Sequence, residues 1–298
     1  MAKALNANII EYLIDQGIAL EQASLLIPIY VQIAEWIIQK RQPGTTYLLG
    51  VNGAQGSGKS TLSGAVALIL KESHLLNVAA FSMDDLYKTR DERMHLAQTI
   101  HPLLITRGVP GTHDIKLGLN IIENLCRKEP IHVALPVFDK SIDDRLPMHE
   151  WKSVTTPVDI VILDGWCVGA LPQSENELHN PVNALESLED SRGIWREYVN
   201  SCLATVYQTL FAKLDGLIML KVPSMACIYE WRGLQEKKLA ALHAGKSDFR
   251  IMTSTQLDRF IMHYERLTRH MLGEMSDRAD LTLFIDEIHN FTRIQTKK

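Results

Sequence analysis

Runs of apolar residues, each bounded by glycine, proline or charged residues, recur along the chain after residue 44. The run at 159–163 is apolar throughout after its first residue, which is typical of a parallel strand buried on both faces. Leu62, Val66 and Ile69 are spaced three and four apart, which predicts one face of a helix. Because helical segments separate the strands, the pattern favours an α/β fold with a parallel sheet. The predicted strands are residues 47–51, 77–81, 159–163, 216–222 and 281–285.

The start of the chain has a helical pattern instead. Residues 5–41 predict two amphipathic helices, and the dipeptide Pro43-Gly44 breaks the chain before the first strand. These helices either pack on the core or present a face to a partner. The domains that we predict are an N-terminal helical extension, 1–44, and a main domain, 45–298, which carries an insertion at about 83–157.

Residues 53–60, with the sequence GAQGSGKS, match the phosphate-binding pattern G-x-x-x-x-G-K-[ST] between a predicted strand and a predicted helix. Glycines let backbone amides converge on a phosphate, and the helix N-terminus adds partial positive charge. Lys59 would reach the β- and γ-phosphates, and Ser60 would contact Mg²⁺. An ordinary glycine-rich turn is the alternative. The predicted nucleotide contacts are Gly53, Ala54, Gln55, Gly56, Ser57, Gly58, Lys59, Ser60 and Thr61.

Acidic residues follow two of the predicted strands directly. Asp84 and Asp85 come after the second strand, and Asp164 ends the third. The carboxyl ends of parallel strands form the ligand-binding edge of such a sheet. Asp164 is therefore expected to position Mg²⁺ together with Ser60. Two adjacent side chains cannot point to one spot, so we expect one of Asp84 and Asp85 to face the site and the other to cap a turn; the alternative is that both only cap.

Three further polar features are candidates for binding. Residues 107–114, RGVPGTHD, surround a Gly-Val-Pro-Gly turn with side chains suited to a small polar or anionic molecule. Residues 139–145 are dense in charge and form either a substrate loop or a solvated bulge. Arg232 lies on the helix predicted after the fourth strand, where an arginine can stabilise charge during phosphoryl transfer. Solvated surface charge is the alternative for each.

Size and composition limit the remaining classes. With 298 residues, 46% of them hydrophobic, the chain can bury its core as one large α/β domain or two smaller ones. Its net charge of −4 gives no indication of a nucleic-acid partner. No apolar run reaches the length of a membrane span, and no signal-peptide pattern is present. We expect a cytoplasmic protein without nucleic-acid or membrane partners, and the pattern leaves its oligomeric state open. The cysteines, without a C-x-x-C pair, predict reduced thiols rather than a zinc site: Cys126, Cys167, Cys202 and Cys227.

Together these motifs resemble the phosphoribulokinase, uridine kinase and pantothenate kinase group of small-molecule kinases. Residues 107–114, 138–141, 164–166 and 229–232 look more specifically like the D-glycerate 3-kinase family, and the resemblance covers about residues 46–290. It implies a P-loop fold with a five-stranded parallel sheet in the order 2-3-1-4-5, and ATP with Mg²⁺ as donor. Leu86 replaces the usual Phe of this group. Asp164 stands where relatives often carry Glu, so it would reach Mg²⁺ through a water.

The resemblance also implies roles for single residues. Asp84 would be the general base that accepts a proton from the acceptor's hydroxyl, while Lys59 and Arg232 would neutralise charge on the transferred phosphoryl group. If the acceptor is glycerate, its carboxylate needs cations, for which Arg107, Lys140 and Arg145 are the candidates. The complete set of expected acceptor contacts is Asp84, Tyr87, Arg107, His113, Asp114, Lys140 and Arg145.

Other functions stay open on the sequence. The acceptor could be pantothenate, a nucleoside or another sugar acid instead of D-glycerate. A regulatory ATPase that acts on a partner protein is a different class; a GTPase switch would need an Asn-Lys-x-Asp motif, which the sequence lacks. An inactive nucleotide-binding protein is a further alternative, which the presence of Lys59, Ser60, Asp84 and Asp164 disfavours.

Overall fold

The computed structural model describes residues 2–242 and 252–297. Within these residues, six strands form one sheet and four short strands form two separate ribbons. The strands are β1 Tyr47–Gly53, β2 Val78–Ser82, β3 His132–Leu135, β4 Phe138–Asp139, β5 Asp144–Arg145, β6 Lys152–Thr155, β7 Ile160–Gly165, β8 Gly216–Lys221, β9 Leu281–Ile285 and β10 Phe291–Thr296.

Helices flank the sheet on both faces. The α-helices are α1 Ala2–Asp15, α2 Leu20–Lys40, α3 Lys59–His74, α4 Arg90–Thr99, α5 Ile115–Leu125, α6 Glu175–Leu178, α7 Ala184–Glu189, α8 Ile194–Cys202, α9 Gln208–Phe211, α10 Met225–Leu242 and α11 Ser254–Glu274. A π-helical turn joins α8 to α9 at Leu203–Tyr207. Short 3-10 helices lie at Met83–Leu86, Pro102–Ile105, Met148–Glu150 and Met275–Asp277.

The central sheet has the strand order β10-β9-β8-β1-β7-β2. Its first five strands along the chain, β1, β2, β7, β8 and β9, are parallel and lie in the order 2-3-1-4-5, as the resemblance implied. The prediction of five strands was incomplete, because β10 adds an antiparallel strand beside β9. After the fifth strand the sequence predicts only a polar tail at 286–290, and β10, which follows it, was not predicted. Four of the six residues of β10 are exposed, which hides the apolar signal of a strand.

Both faces of the sheet are covered by apolar layers. On one face, α1 and α2 pack with α3, and residues such as Ile33 and Leu62 are buried between them. On the other face, the segment between β2 and β7 and the helices α8, α9 and α11 bury Leu86 and Tyr207, among others. β1 is buried along its whole length, so the loop that follows it is fixed at the carboxyl edge of the sheet.

The acidic and polar composition of residues 173–190 predicts a loop, but the segment contains α6 and α7. Ser174 forms a capping box at the start of α6, and Asn183 caps α7 by accepting from the Glu186 amide. Buried ion pairs then fasten this segment, as the Arg266 guanidinium contacts Glu186 at 2.7 Å. Helices this short have too few turns to show an apolar period, so sequence pattern alone does not detect them.

None of the described helices is by itself long and apolar enough to cross a membrane. Ala7–Asp15 and Leu20–Lys40 meet that test of length and composition only as a pair, which is bent by 120°.

Candidate active site

The phosphate loop lies between the end of β1 at Gly53 and the start of α3 at Lys59. Gly56 and Gly58 have φ angles of +80° and +86°, a region that other residues enter only with strain. These two glycines turn the backbone over the N-terminus of a 16-residue helix, whose first amides have no helical partner. The strand, turn and helix therefore have the arrangement that binds phosphate groups.

Hydroxyl groups surround Asp164 at the end of β7. Its Oδ1 accepts from Ser82 Oγ at 2.8 Å and from Ser60 Oγ at 3.4 Å. Burial raises the pKa of Asp164, while the Lys59 ammonium and the Ser82 hydrogen bond oppose that rise. A carboxylate beside a helix-terminal hydroxyl is the kind of oxygen set that Mg²⁺ takes when phosphates complete its coordination.

The adjacent acids Asp84 and Asp85 point to different places. Asp85 caps the 3-10 helix, because its Oδ2 accepts from the Ser82 amide at 3.1 Å and its Oδ1 from the Phe138 amide at 3.3 Å. Asp84 faces the opposite way, and its Oδ1 accepts from the Tyr87 hydroxyl at 2.7 Å. Asp85 thus caps a turn, and Asp84, with side-chain partners only, remains the candidate for the site.

Cations keep Asp84 ionised. Desolvation would raise its pKa, but the ammonium groups of Lys140 and Lys59 and the Tyr87 hydrogen bond hold that pKa well below the usual range. Lys140 Nζ lies 2.6 Å from Asp84 Oδ2, and the lysine side chain is 61% exposed, so it can leave the contact without unburying a charge. Asp84 is therefore an anion at neutral pH, close to Lys59 of the phosphate loop and in contact with the exposed side chain of Lys140.

Arg145 and Asp114 form a bracket behind this acid. The Arg145 guanidinium donates through Nε and Nη2 to the Tyr87 carbonyl, at 3.2 and 2.8 Å. Its Nη1 lies 3.5 Å from Asp114 Oδ2, while Asp114 Oδ1 caps α5 by accepting from the Leu117 amide. All three guanidinium nitrogens of Arg145 thus contact Tyr87 or Asp114. The geometry therefore does not favour the expected direct contact of this arginine with an acceptor.

His113 lies behind Tyr87 and is buried. Its Nδ1 is 2.6 Å from the Tyr207 hydroxyl, and its ring centroid is 4.7 Å from that of Tyr87. Burial lowers the pKa of His113 to about 3, so the ring is neutral. Only 2% of the residue is exposed. The geometry therefore does not favour the expected direct contact between His113 and an acceptor, because the enclosed ring packs on Tyr87.

Arg107 is paired with a residue that the sequence did not single out. Its Nη1 donates to Asp143 Oδ1, and its guanidinium lies 5.4 Å from the centroid of the Phe138 ring. The Tyr264 hydroxyl fixes the main chain by donating to the Arg107 carbonyl at 2.9 Å. That contact needs Gly108, where a side chain would collide with the Tyr264 ring. The guanidinium is therefore held at the rim of the site.

Arg232 on α10 is directed toward α11, where its guanidinium lies 5.6 Å from the Phe260 ring centroid. The preceding residue, Trp231, stacks on His289 with ring centroids 3.8 Å apart. His289 in turn lies 3.0 Å through Nε2 from the Gly56 carbonyl. α10 is thus adjacent to the phosphate loop through Trp231, and Arg232 is one residue from that contact.

A groove opens beside the phosphate loop, with a volume of about 1080 Å³ that includes its open mouth. One wall is the loop itself and the start of α3, and the opposite wall is formed by the turn between α1 and α2 and by α2. Trp231, His289, Gln22 and Tyr30 line it. Neither this groove nor the part of the N-terminal helices in it was predicted.

Comparison with known proteins shows the family to which the chain belongs. No protein-family model matches it. It is 33% identical over 253 residues to mug58 of Schizosaccharomyces pombe, an uncharacterized kinase, and this match covers 82% of the chain and 87% of that protein. It is 25% identical over 225 residues to the chloroplastic D-glycerate 3-kinase of Arabidopsis thaliana, covering 73% of the chain and 46% of that enzyme, about half its length.

The chain belongs to the D-glycerate 3-kinase-like P-loop kinases. The solved structure of D-glycerate 3-kinase from Cryptococcus neoformans has the same fold, with a TM-score of 0.73 and 24% identity over 90% of this chain and 99% of that one. As a member of this family, the protein is an ATP-dependent kinase. P-loop kinases use ATP, typically with Mg²⁺.

The Ser60 hydroxyl and the Asp164 carboxylate suit Mg²⁺ that is bound together with a nucleotide, and they are too few for a metal held by protein ligands alone. Among residues 2–242 and 252–297, no group of three or more His, Cys, Asp or Glu residues could hold an ion. Ser60 and Asp164 supply a hydroxyl and one carboxylate, which suits a hard cation that keeps waters and substrate phosphates as its other ligands.

Several residues of the kinase site were missed. Arg93 is buried and donates to the Asp143 carbonyl, but sequence does not separate a buried arginine from a solvated one. Asp143 carried no signal beyond its place in a charged run. Tyr264 lies on α11, far along the chain, and its approach to Arg107 depends on tertiary packing that no local pattern encodes.

Proposed function

We propose that this kinase transfers the γ-phosphoryl group of ATP to a hydroxyl of a small carboxylic acid, with D-glycerate as the leading acceptor. The observation that carries the proposal is Asp84. It is an ionised carboxylate just past the carboxyl end of β2, within electrostatic reach of Lys59 and in contact with Lys140, and the charge of Arg107 acts on Tyr87, its hydrogen-bond donor. The site therefore combines a base beside a phosphate loop with cations for an acidic acceptor.

On the donor side, residues 53–61 bind the triphosphate, and Lys59 neutralises its charge. Ser60 and Asp164 hold Mg²⁺, which when bound supplies charge neutralisation on the phosphate oxygens. The adenine base occupies the groove beside the loop, where Trp231 and α2 offer apolar and aromatic surface. The N-terminal helices are in this proposal part of the nucleotide site.

On the acceptor side, Asp84 accepts the hydroxyl proton while the oxygen bonds to the γ-phosphorus. The bond from that phosphorus to the β–γ bridging oxygen breaks, and ADP leaves. The Tyr87 hydroxyl orients Asp84 by donating to one of its oxygens, which leaves the other oxygen for the acceptor once Lys140 moves. Lys140 and Arg107 then bind the acceptor's carboxylate, while Arg145 keeps the Tyr87 backbone in place. Arg232 is proposed to contact the transferred group after α10 closes toward the phosphate loop.

The similarity of the chain to the D-glycerate 3-kinases of Arabidopsis thaliana and Cryptococcus neoformans supports this acceptor. The deciding experiment is an acceptor screen. Purified protein, ATP and Mg²⁺ are offered D-glycerate, pantothenate, uridine and ribulose 5-phosphate, and ADP release is followed together with the phosphorylated product. We expect turnover with D-glycerate and only background with the others.

Two results would contradict the proposal. Preference for pantothenate, uridine or ribulose 5-phosphate would identify a kinase with a different acceptor. ADP release that no small acceptor accelerates would favour a regulatory ATPase that acts on a partner protein.

A further inference from the structure

A chain of ion pairs lies beside the acceptor side of the site, and its innermost member is Arg93. This arginine is 1% exposed. Its guanidinium donates to the carbonyls of Lys88, Ile105 and Asp143 at 3.2, 2.7 and 2.7 Å. Nη2 is also 3.0 Å from Asp143 Oδ2. A buried guanidinium needs a carboxylate nearby, because its charge is otherwise uncompensated, so Arg93 anchors Asp143 firmly.

Asp143 has a backbone suited to its position at the tip of the ribbon formed by β4 and β5. Its φ angle is +57°, in the left-handed region that glycine, asparagine and aspartate adopt most readily. Aspartate is the only one of these three that carries a charge. The tip thus combines a backbone that few residues tolerate with an anion between two arginines.

The second arginine is Arg107. Within residues 2–242 and 252–297, its guanidinium hydrogen-bonds only through Nη1, to Asp143. The Tyr87 hydroxyl donates a hydrogen bond to Asp84. Desolvation is the main effect on the pKa of Tyr87 and raises it, while the charge of the Arg107 guanidinium lowers it. Arg107 therefore lies on the side of the site where the acceptor must approach, with the Nε–Nη2 edge of its planar fork still able to bind a carboxylate.

We propose that Asp143 is a positioning residue for acceptor recognition. Anchored by Arg93, it holds Arg107 by one edge so that the other edge binds the acid group of the acceptor. The inference rests on the proposed function, since it assumes an acidic acceptor. Asp143 is not an internal competitor that the acceptor displaces, because its departure would leave the buried Arg93 without a counter-charge.

The test is a double-mutant cycle on acceptor kinetics. Asp143→Asn keeps the left-handed backbone and the side-chain shape and removes the charge. We expect it to raise the KM for D-glycerate by about tenfold or more, with kcat and the KM for ATP within about twofold of wild type. In an Arg107→Met background, where acceptor binding is already weakened, we expect the same change to alter that KM by less than about twofold.

Asp144→Asn is the matched control on the same ribbon. The Asp144 carboxylate accepts from the amides of Arg90 and Arg145, which an asparagine oxygen also satisfies, so the KM for D-glycerate stays at the wild-type value. A thermal midpoint measured for every variant shows that each is folded under the assay conditions.

The outcomes separate this inference from the proposed function. An equal rise in KM in both backgrounds, or a fall in KM in Asp143→Asn, would overturn the role of Asp143 while D-glycerate kinase activity stands. Absence of D-glycerate turnover in wild type would overturn the proposed acceptor, and the cycle is then read with the acceptor that the screen identifies. An unchanged KM for that acceptor in Asp143→Asn would overturn the inference as well.

Discussion

Adjacent residues with the same chemistry have different environments in this kinase, and Asp84 and Asp85 show it best. Asp85 accepts two backbone amides and acts as a cap, whereas Asp84 contacts Tyr87 and Lys140 side chains at the site. The 3-10 turn that follows β2 rotates the two side chains apart. The pair therefore offers a test of the base in which each acid is the control for the other.

Asp84→Asn is expected to keep ATP binding within about twofold and to lower kcat by about 100-fold or more, because a general base contributes roughly that much. Asp85→Asn is expected to lower the free energy of unfolding by about 1 kcal/mol, as for a lost cap, with a much smaller change in kcat. Isothermal titration calorimetry measures ATP binding, steady-state kinetics measures kcat, and urea unfolding measures the change in stability. Near wild-type turnover in Asp84→Asn would show that another group takes the proton.

His113 predicts a pH dependence of stability. Burial lowers its pKa to about 3 in the folded protein, from an ordinary value of 6.5. As the pH falls below that ordinary value, the unfolded chain binds a proton that the folded protein does not, so the free energy of unfolding decreases by up to about 1.4 kcal/mol per pH unit. The buried His263, with a pKa lowered by burial to about 4, acts in the same direction.

Urea unfolding across the range from pH 7 to 5 measures this slope. His113→Gln is expected to flatten it, even though the variant is less stable at every pH. His149, whose side chain is 80% exposed, provides the matched control, and His149→Gln should leave the slope unchanged. A slope that does not change in His113→Gln would mean that this ring is not held neutral.

At the scale of elements, α1 and α2 have a second surface besides the one that packs on α3. The turn between them and the first half of α2 form the wall of the groove opposite the phosphate loop. Tyr30 packs edge-on against Phe291 of β10, with ring centroids 6.2 Å apart, so the wall is supported from the far edge of the sheet. Two elements added at the ends of the P-loop core, α2 and β10, thus meet at one groove.

This arrangement predicts that α2 affects binding of the base but not of the phosphates. Gln22→Trp, which fills the groove, is expected to weaken ATP binding by about tenfold or more and to change tripolyphosphate binding by less than about twofold. Gln32→Trp, on the exposed side of the same helix, should affect neither. Equal weakening of ATP and tripolyphosphate by Gln22→Trp would place the effect on the phosphate loop, not on a base site.

At the scale of the whole molecule, local signals predicted the frame and missed what depends on distant contacts. A buried strand and a glycine turn each have a sequence pattern that extends over only a few residues. For this reason the sequence predicted the parallel strands, the phosphate loop at 53–60 and the position of Asp164 at the end of β7. β10 escaped because an exposed edge strand has few apolar positions. The pairing of Arg93 with Asp143 joins residues 50 apart and has no local signature.

The ribbon that carries Lys140 and Asp143 is fastened to the core at its base and at its tip. Asp85 holds the Phe138 amide, and Arg93 holds Asp143. Residues 140–142 between these points are exposed. If the proposed role of Lys140 holds, substitutions there alter the choice of acceptor without disturbing the donor half, because neither fastening point is lost. One inherited scaffold could in this way diverge toward new substrates by changing a three-residue stretch while its use of the nucleotide is conserved.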